Sequence, residues 1–95
     1  MAKLNENILP LTREYIFQVG EQIRLARRRR RLSLKLIAER TGLSRQTISK
    51  IEKGDPTVSF GAYAAVLHAL DGMDKDLMLL AKQDKIGRQI QDINL

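Results

Sequence analysis

Arg45, Gln46, Ser49 and Lys50 are four hydrogen-bonding side chains within six residues, and Ile48 and Ile51 interleave with them at a spacing of three. In a helix that spacing turns both isoleucines inward and leaves the polar residues on the opposite side. The forked guanidinium of arginine fits guanine O6 and N7, and the amide of glutamine fits adenine N6 and N7, each through two hydrogen bonds. Ser49, one turn further, reaches a base or a thymine methyl, and Lys50 reaches a base or a phosphate. A helix presenting these groups outward can read base edges in the DNA major groove. The plain alternative is a helical hairpin with solvated polar faces, so the surrounding elements decide.

Those elements form a tight pair of helices. Ser33 is expected to cap a short helix, Leu34–Arg40, with Ile37 and Ala38 toward the core. Gly42 supplies the left-handed residue of a sharp turn and Leu43 plugs the gap beneath it. Ser44 then caps a helix over Arg45–Lys53. Ala38, Gly42, Leu43, Ile48 and Ile51 follow at steps of four, one, five and three. A small residue for close approach, a glycine turn and two buried isoleucines make a helix-turn-helix, whose second helix must face outward.

Charge surrounds this motif. The chain carries 17 Lys+Arg against 11 Asp+Glu, a net charge of +6. Residues 24–53 hold eleven bases and two acids, for +9, which leaves −3 for the remainder. A basic middle between acidic ends implies a face for polyanions. Phosphate contacts are expected at the helix starts, from Ser33, Lys35, Ser44 and Thr47, and beside the turn after the second helix of the motif, from Lys53 and Thr57. Ser33 and Ser44 serve equally well as caps alone. The five successive arginines cannot all face one way; Arg27 and Arg31, four apart, share a face and join the phosphate set.

The rest of the chain reads as helices too, since four aromatics and few β-branched runs argue against a sheet. Thr12 is expected to cap a first helix from Arg13 to about Arg30, with Ile16, Val19, Ile23 and Ala26 as its apolar stripe. Ser59 caps a helix through Leu70 that buries Tyr63, Val66, Leu67 and Leu70, and Asp74 caps a further one carrying Leu77, Met78, Leu80 and Ala81. Ile86, Ile90 and Ile93 keep helical spacing, as a last turn or two or as a segment that orders on a partner. The plan is an arm at 1–11, a helix-turn-helix domain at 12–82 and a tail at 83–95. Ile16, Val19, Ile23, Ile37, Ile48, Ile51, Val66 and Leu67 suffice for the core. The apolar residues that come later are a surplus. It assigns Leu77 and Leu80 to a dimer contact, and Ile86, Ile90 and Ile93 to a second protein partner.

Composition excludes much. With no cysteine and one histidine, disulfides, thiolate chemistry and Cys- or His-rich metal sites are out. No cofactor is expected, and His68 is read as a surface or interface residue. No nucleophile–base pair or carboxylate pair assembles, so catalysis is not expected. No apolar run approaches the ~20 residues needed to cross a bilayer. The start has no secretory pattern, and a reducing cytoplasm is the expected location.

The stretch from Val19-Gly20-Glu21-Gln22-Ile23-Arg24 through Leu32-Ser33, and then Ile37 to Gly54, resembles the Cro/C1-type (XRE) helix-turn-helix domain of phage and bacterial repressors. The resemblance covers about residues 16–70 and implies an all-α, compact five-helix bundle that binds palindromic operators as a homodimer. Two positions depart from the family pattern. Leu34 stands where glutamine is common, which removes a bracing contact, and Arg31 stands where glycine is common. Gly54-Asp55-Pro56-Thr57-Val58-Ser59 and the segment from Leu80 to Asp92 are similar to HipB-type antitoxins. That second resemblance implies a HipA-like kinase toxin as partner.

The residues and the resemblance together describe an autoregulatory repressor of double-stranded DNA, with an antitoxin role implied by the second resemblance. The alternatives are a stand-alone phage-type repressor with no toxin partner, or a module whose basic face meets an acidic protein. RNA binding lacks the aromatic stacking platform that single strands need.

Overall fold

The computed structural model describes residues 7–94, and every regular element among them is helical. In chain order these are α1 (Pro10–Arg29), α2 (Leu34–Thr41), α3 (Arg45–Glu52), α4 (Phe60–Ala69), a 3-10 helix (Met73–Leu79) and α5 (Lys85–Asn94). The all-α bundle expected from the sequence is the observed architecture. The first six residues of the expected arm, and Leu95 of the tail, lie outside the described residues.

Local chemistry sets most of the boundaries. α2, α3 and α4 each start on a serine whose Oγ accepts a backbone N–H from inside the first turn: Ser33 from Leu36 at 3.0 Å, Ser44 from Thr47 at 3.1 Å and Ser59 from Ala62 at 3.1 Å. α1 differs from expectation. It begins at Pro10, ahead of Thr12, with Leu9 at the cap position and no side-chain cap bond. A first-turn proline gives up an N–H that has no helical partner there, so Pro10 starts the helix unaided. Pro10 and Leu11, assigned to the arm, are therefore helical, and Thr12 caps nothing.

The core is Ile23, Ala26, Ile37, Ile48, Ile51, Tyr63, Val66 and Leu70, all buried. Leu67 packs against it half-buried, and Ile16 is half-buried as well. Val19 does not join them: it is 48% exposed. The buried face of α1 runs through Gly20, Ile23 and Ala26, and Val19, one residue before Gly20, is turned about 100° away from it.

The element after α4 is a 3-10 helix rather than a regular α-helix, and Asp74 does not cap it; Gly72, left-handed at φ 73°, holds that position. With three residues per turn its apolar residues spread around the axis. Leu77 is half-buried, whereas Met78, Leu79 and Leu80 are exposed. α5 follows after a short connector, and Asp84 starts it by accepting the Gly87 N–H at 2.9 Å.

Candidate nucleic-acid interface

Ile48 and Ile51 are fully buried, and this anchors one face of α3. The opposite face is consequently open: Arg45, Gln46 and Lys50 are exposed and Ser49 is half-exposed. Among the described residues no side-chain hydrogen bond or ion pair holds Arg45 or Gln46, and Lys50 feels only the charge of the nearby Asp55 carboxylate. The turn before α3 is built from Gly42, left-handed at φ 75°, whose N–H donates to Ala38 O at 2.9 Å. Thr41 tightens it, donating its hydroxyl to Ile37 O at 2.8 Å and accepting the Leu43 N–H at 3.1 Å. Leu43 packs against the core beneath the turn.

Two contacts fix α3 against α1. The first joins backbones: a Cβ on Gly20 would stand 2.5 Å from Gly54 N and 2.5 Å from Ile51 O. Gly54 itself is left-handed at φ 71°, and a side chain there would strike the Phe17 backbone. The second is ionic. Glu52 is the one buried charged residue among those described. Arg27 holds it with both arms of its guanidinium, Nε to Oε2 at 2.6 Å and Nη2 to Oε1 at 3.0 Å, while Nη1 donates to Leu32 O at 2.8 Å. One arginine thus joins α1, the turn leading into α2, and the last residue of α3.

The arginine run is sorted by the fold. Arg24 pairs with Glu21, Arg27 with Glu52 and Arg30 with Asp71. The Glu21 carboxyl lies below its ordinary range because Arg24 hydrogen-bonds to it. Arg28, Arg29 and Arg31 stay exposed. The expected common face of Arg27 and Arg31 does not exist, because α1 ends before Arg31. Arg31 is left-handed at φ 54°. Its N–H donates to Arg28 O at 2.9 Å, and the next, from Leu32, donates to Arg27 O at 3.2 Å, which is a Schellman closure. Arg27 therefore serves the interior of the fold, and Arg31 projects from a strained turn beside the start of α2.

The other expected phosphate residues divide similarly. Lys35 and Lys53 are exposed. Ser33 and Ser44 act as caps, and the Ser44 and Thr47 hydroxyls share a hydrogen bond at 2.9 Å. Thr57 is committed elsewhere, with its hydroxyl and its N–H both donating to Asp55 Oδ1, at 2.6 and 2.8 Å. Those two bonds, the hydroxyl's first, hold the Asp55 carboxyl below its ordinary range. A carboxylate beside Thr57 repels a phosphate, so Thr57 is a turn residue. Tyr63 closes the same loop by donating its hydroxyl to Asp55 O at 2.7 Å. Burial, and then the Asp55 charge, push that phenol up to about 12.

Away from this face, His68 is exposed with Nδ1 3.3 Å from Asp74 Oδ1. Leu77 and Leu80 border an apolar hollow. Ile86, Ile90 and Ile93 are exposed along α5. No group of three or more metal-ligating side chains occurs among the described residues, and no described helix is long and apolar enough to cross a membrane. The sequence reading missed Gly20, Gly54 and Glu52 as positioning residues. A glycine inside an amphipathic stripe and an acid adjoining a buried isoleucine were the available signals.

Comparison with known proteins agrees with this geometry. A family model described as a helix-turn-helix domain matches residues 18–80, a span that starts in α1 and ends just past the 3-10 helix. No curated protein and no solved structure matches the chain. The matched span contains the capped helix pair, the glycine turn and the anchored outward helix, so the chain belongs to the helix-turn-helix domain family.

Proposed function

We propose that this protein is a sequence-specific regulator that binds double-stranded DNA with α3 in the major groove. The observation that carries the reading is the division of α3: Ile48 and Ile51 are fully buried, while Arg45, Gln46 and Lys50 are exposed on the opposite face. Arg45 and Gln46 read bases from the start of the helix, Ser49 and Lys50 from one turn further. Arg31, Lys35 and Lys53 meet phosphates, as do the helix starts at Ser33 and Ser44 through the first-turn N–H groups their caps leave open, with the Thr47 side chain alongside. Arg27 and Thr57 are left out of this set because both are engaged within the fold.

Regulation in this proposal is repression from a palindromic operator by a two-fold dimer. Such a dimer presents two α3 helices about 34 Å apart, one turn of DNA. The test is a gel-shift titration against the gene's own upstream DNA, with a scrambled duplex alongside. Arg45→Ala or Gln46→Ala should each cost about 1–3 kcal/mol on the cognate duplex and relax preference at one base position. Binding of both duplexes by both variants at the parent's affinity overturns the assignment of α3.

A further inference from the structure

A trough runs along α1, α4 and the 3-10 helix, its lining largely apolar but for Gln18, Glu21 and Gln22 at one end. It comprises two hollows, about 500 and about 350 Å³, that share Val19 and Leu67 in their linings. One extends toward Tyr15 and Met73, the other toward Phe60 and Leu80. Neither is lined by a residue of α2 or α3. The chain also carries an apolar ridge with nothing against it. Ile86, Ile90 and Ile93 recur at steps of four and three along α5 and are 73%, 54% and 83% exposed. A helix with such a stripe is the shape an apolar groove accepts.

α5 does not fill the trough of its own chain. The connector before it is pinned by hydrogen bonds from Lys82 N to Leu79 O at 3.2 Å and from Arg88 Nη2 to Lys82 O at 2.6 Å. Ala81 is left-handed at φ 60° within it. Held this way, α5 projects from the bundle, and the molecule measures 52 Å along its longest axis. Area argues for a reciprocal arrangement. A ten-residue helix is about 15 Å long and about 10 Å across. Laid in a groove it covers roughly 500 Å² counted over both surfaces, enough alone for weak association only, whereas two such contacts reach the roughly 1,000 Å² a specific interface requires.

We infer that two copies of this chain exchange their C-terminal helices, the α5 isoleucines of each lying in the Val19–Leu67 trough of the other. Such a dimer supplies the two-fold symmetry that the operator reading assumes, and it rests on that reading only for its purpose. It leaves both α3 faces free and draws Leu77 and Leu80 into the contact.

Sedimentation equilibrium of the full chain without DNA tests the exchange directly. The expected mass is twice 10.8 kDa. Ile90→Glu on the helix and Val19→Glu in the trough should each raise the dimer dissociation constant at least roughly a hundredfold, because every substitution acts at two symmetric sites. Phe60→Glu is a second trough variant, and circular dichroism confirms that each variant is folded. Mixing Ile90→Glu chains with Val19→Glu chains should restore part of the dimer, since one helix–trough contact is then intact. Trough-on-trough packing leaves Ile90→Glu dimeric, and helix-on-helix packing leaves Val19→Glu dimeric. Either result overturns the proposal, as does a monomeric parent chain, whatever other protein covers the trough. DNA binding by a monomeric parent would leave the function of α3 standing while removing this interface.

Discussion

Arg27 and Glu52 stand 25 residues apart and form a bidentate ion pair at 2.6 and 3.0 Å, with side chains 14% and 6% exposed. The pair sits at the C-terminal end of α3 and fixes that end to α1. Removing one partner of a buried pair costs about 3–5 kcal/mol, because the remaining charge is left without compensation. Arg27→Ala should lower the urea midpoint accordingly, and Arg27→Ala with Glu52→Gln should recover part of the loss. If Arg27 works only inside the fold, the salt dependence of DNA binding by the still-folded variant keeps the parent's slope. A slope shallower by roughly two, one contact per protomer of a dimer, would place Arg27 on a phosphate instead.

Arg31 behaves oppositely. Its φ of 54° costs about 1 kcal/mol in a residue with a Cβ, and glycine removes that cost. Arg31→Gly should therefore stabilise the fold by about 1 kcal/mol while weakening DNA binding. The log–log salt slope should shrink by roughly two for a dimer, one lost phosphate contact per protomer. Thermal melts and salt-titrated gel shifts read the two effects separately, and a variant that gains stability without losing affinity removes Arg31 from the interface.

Stability should fall at both ends of the pH range through one loop. The Tyr63 phenol is raised from 10.0 to about 12, so the contribution of its neutral form is complete below 10 and is lost as pH rises from 10 through 12. The Asp55 carboxyl is lowered by the Thr57 hydroxyl and amide, so its contribution is present above the ordinary carboxylate range and is lost as pH falls through its depressed value. Urea midpoints measured against pH should show Tyr63→Phe flattening the alkaline limb and Asp55→Asn flattening the acid limb.

Gly20→Ala should destabilise, although alanine favours a helix by about 1 kcal/mol. The added methyl has 2.5 Å to Gly54 N and to Ile51 O, backbone atoms that cannot rotate away. A net loss of about 1–3 kcal/mol is expected in equilibrium unfolding, as for other overpacked sites. Gly61→Ala, whose Cβ meets nothing within 4 Å, is the control and should be neutral or stabilising.

The helix pair was legible in the sequence because its signals are local. Ser33, Ser44 and Ser59 cap with their own first turns, Gly42 closes its own turn, and the spacing of Ile48 and Ile51 fixes which side of α3 faces out. What was not legible depends on partners far along the chain. Arg27 looks like any member of a basic run until Glu52 is brought beside it. Val19 and Gly20 are adjacent, and only the position of Gly54 decides that the glycine side of α1 is buried. The residues after Leu70 form a 3-10 helix where apolar spacing suggested an α-helix, because the left-handed Asp71 and Gly72 redirect the chain there.

The Gly20–Gly54 contact bears on how a scaffold of this kind can diverge. Where two main chains touch, the tilt of α3 owes little to rotamers, so exchanges among the core side chains leave the helix aimed as before. In the proposed DNA reading, the outward positions 45, 46, 49 and 50 are then free to change one at a time, each altering a base preference without disturbing the rest. Binding specificity and foldability become separately evolvable, and a library randomised at those four positions should yield folded proteins with new target sequences far more often than one randomised along α1.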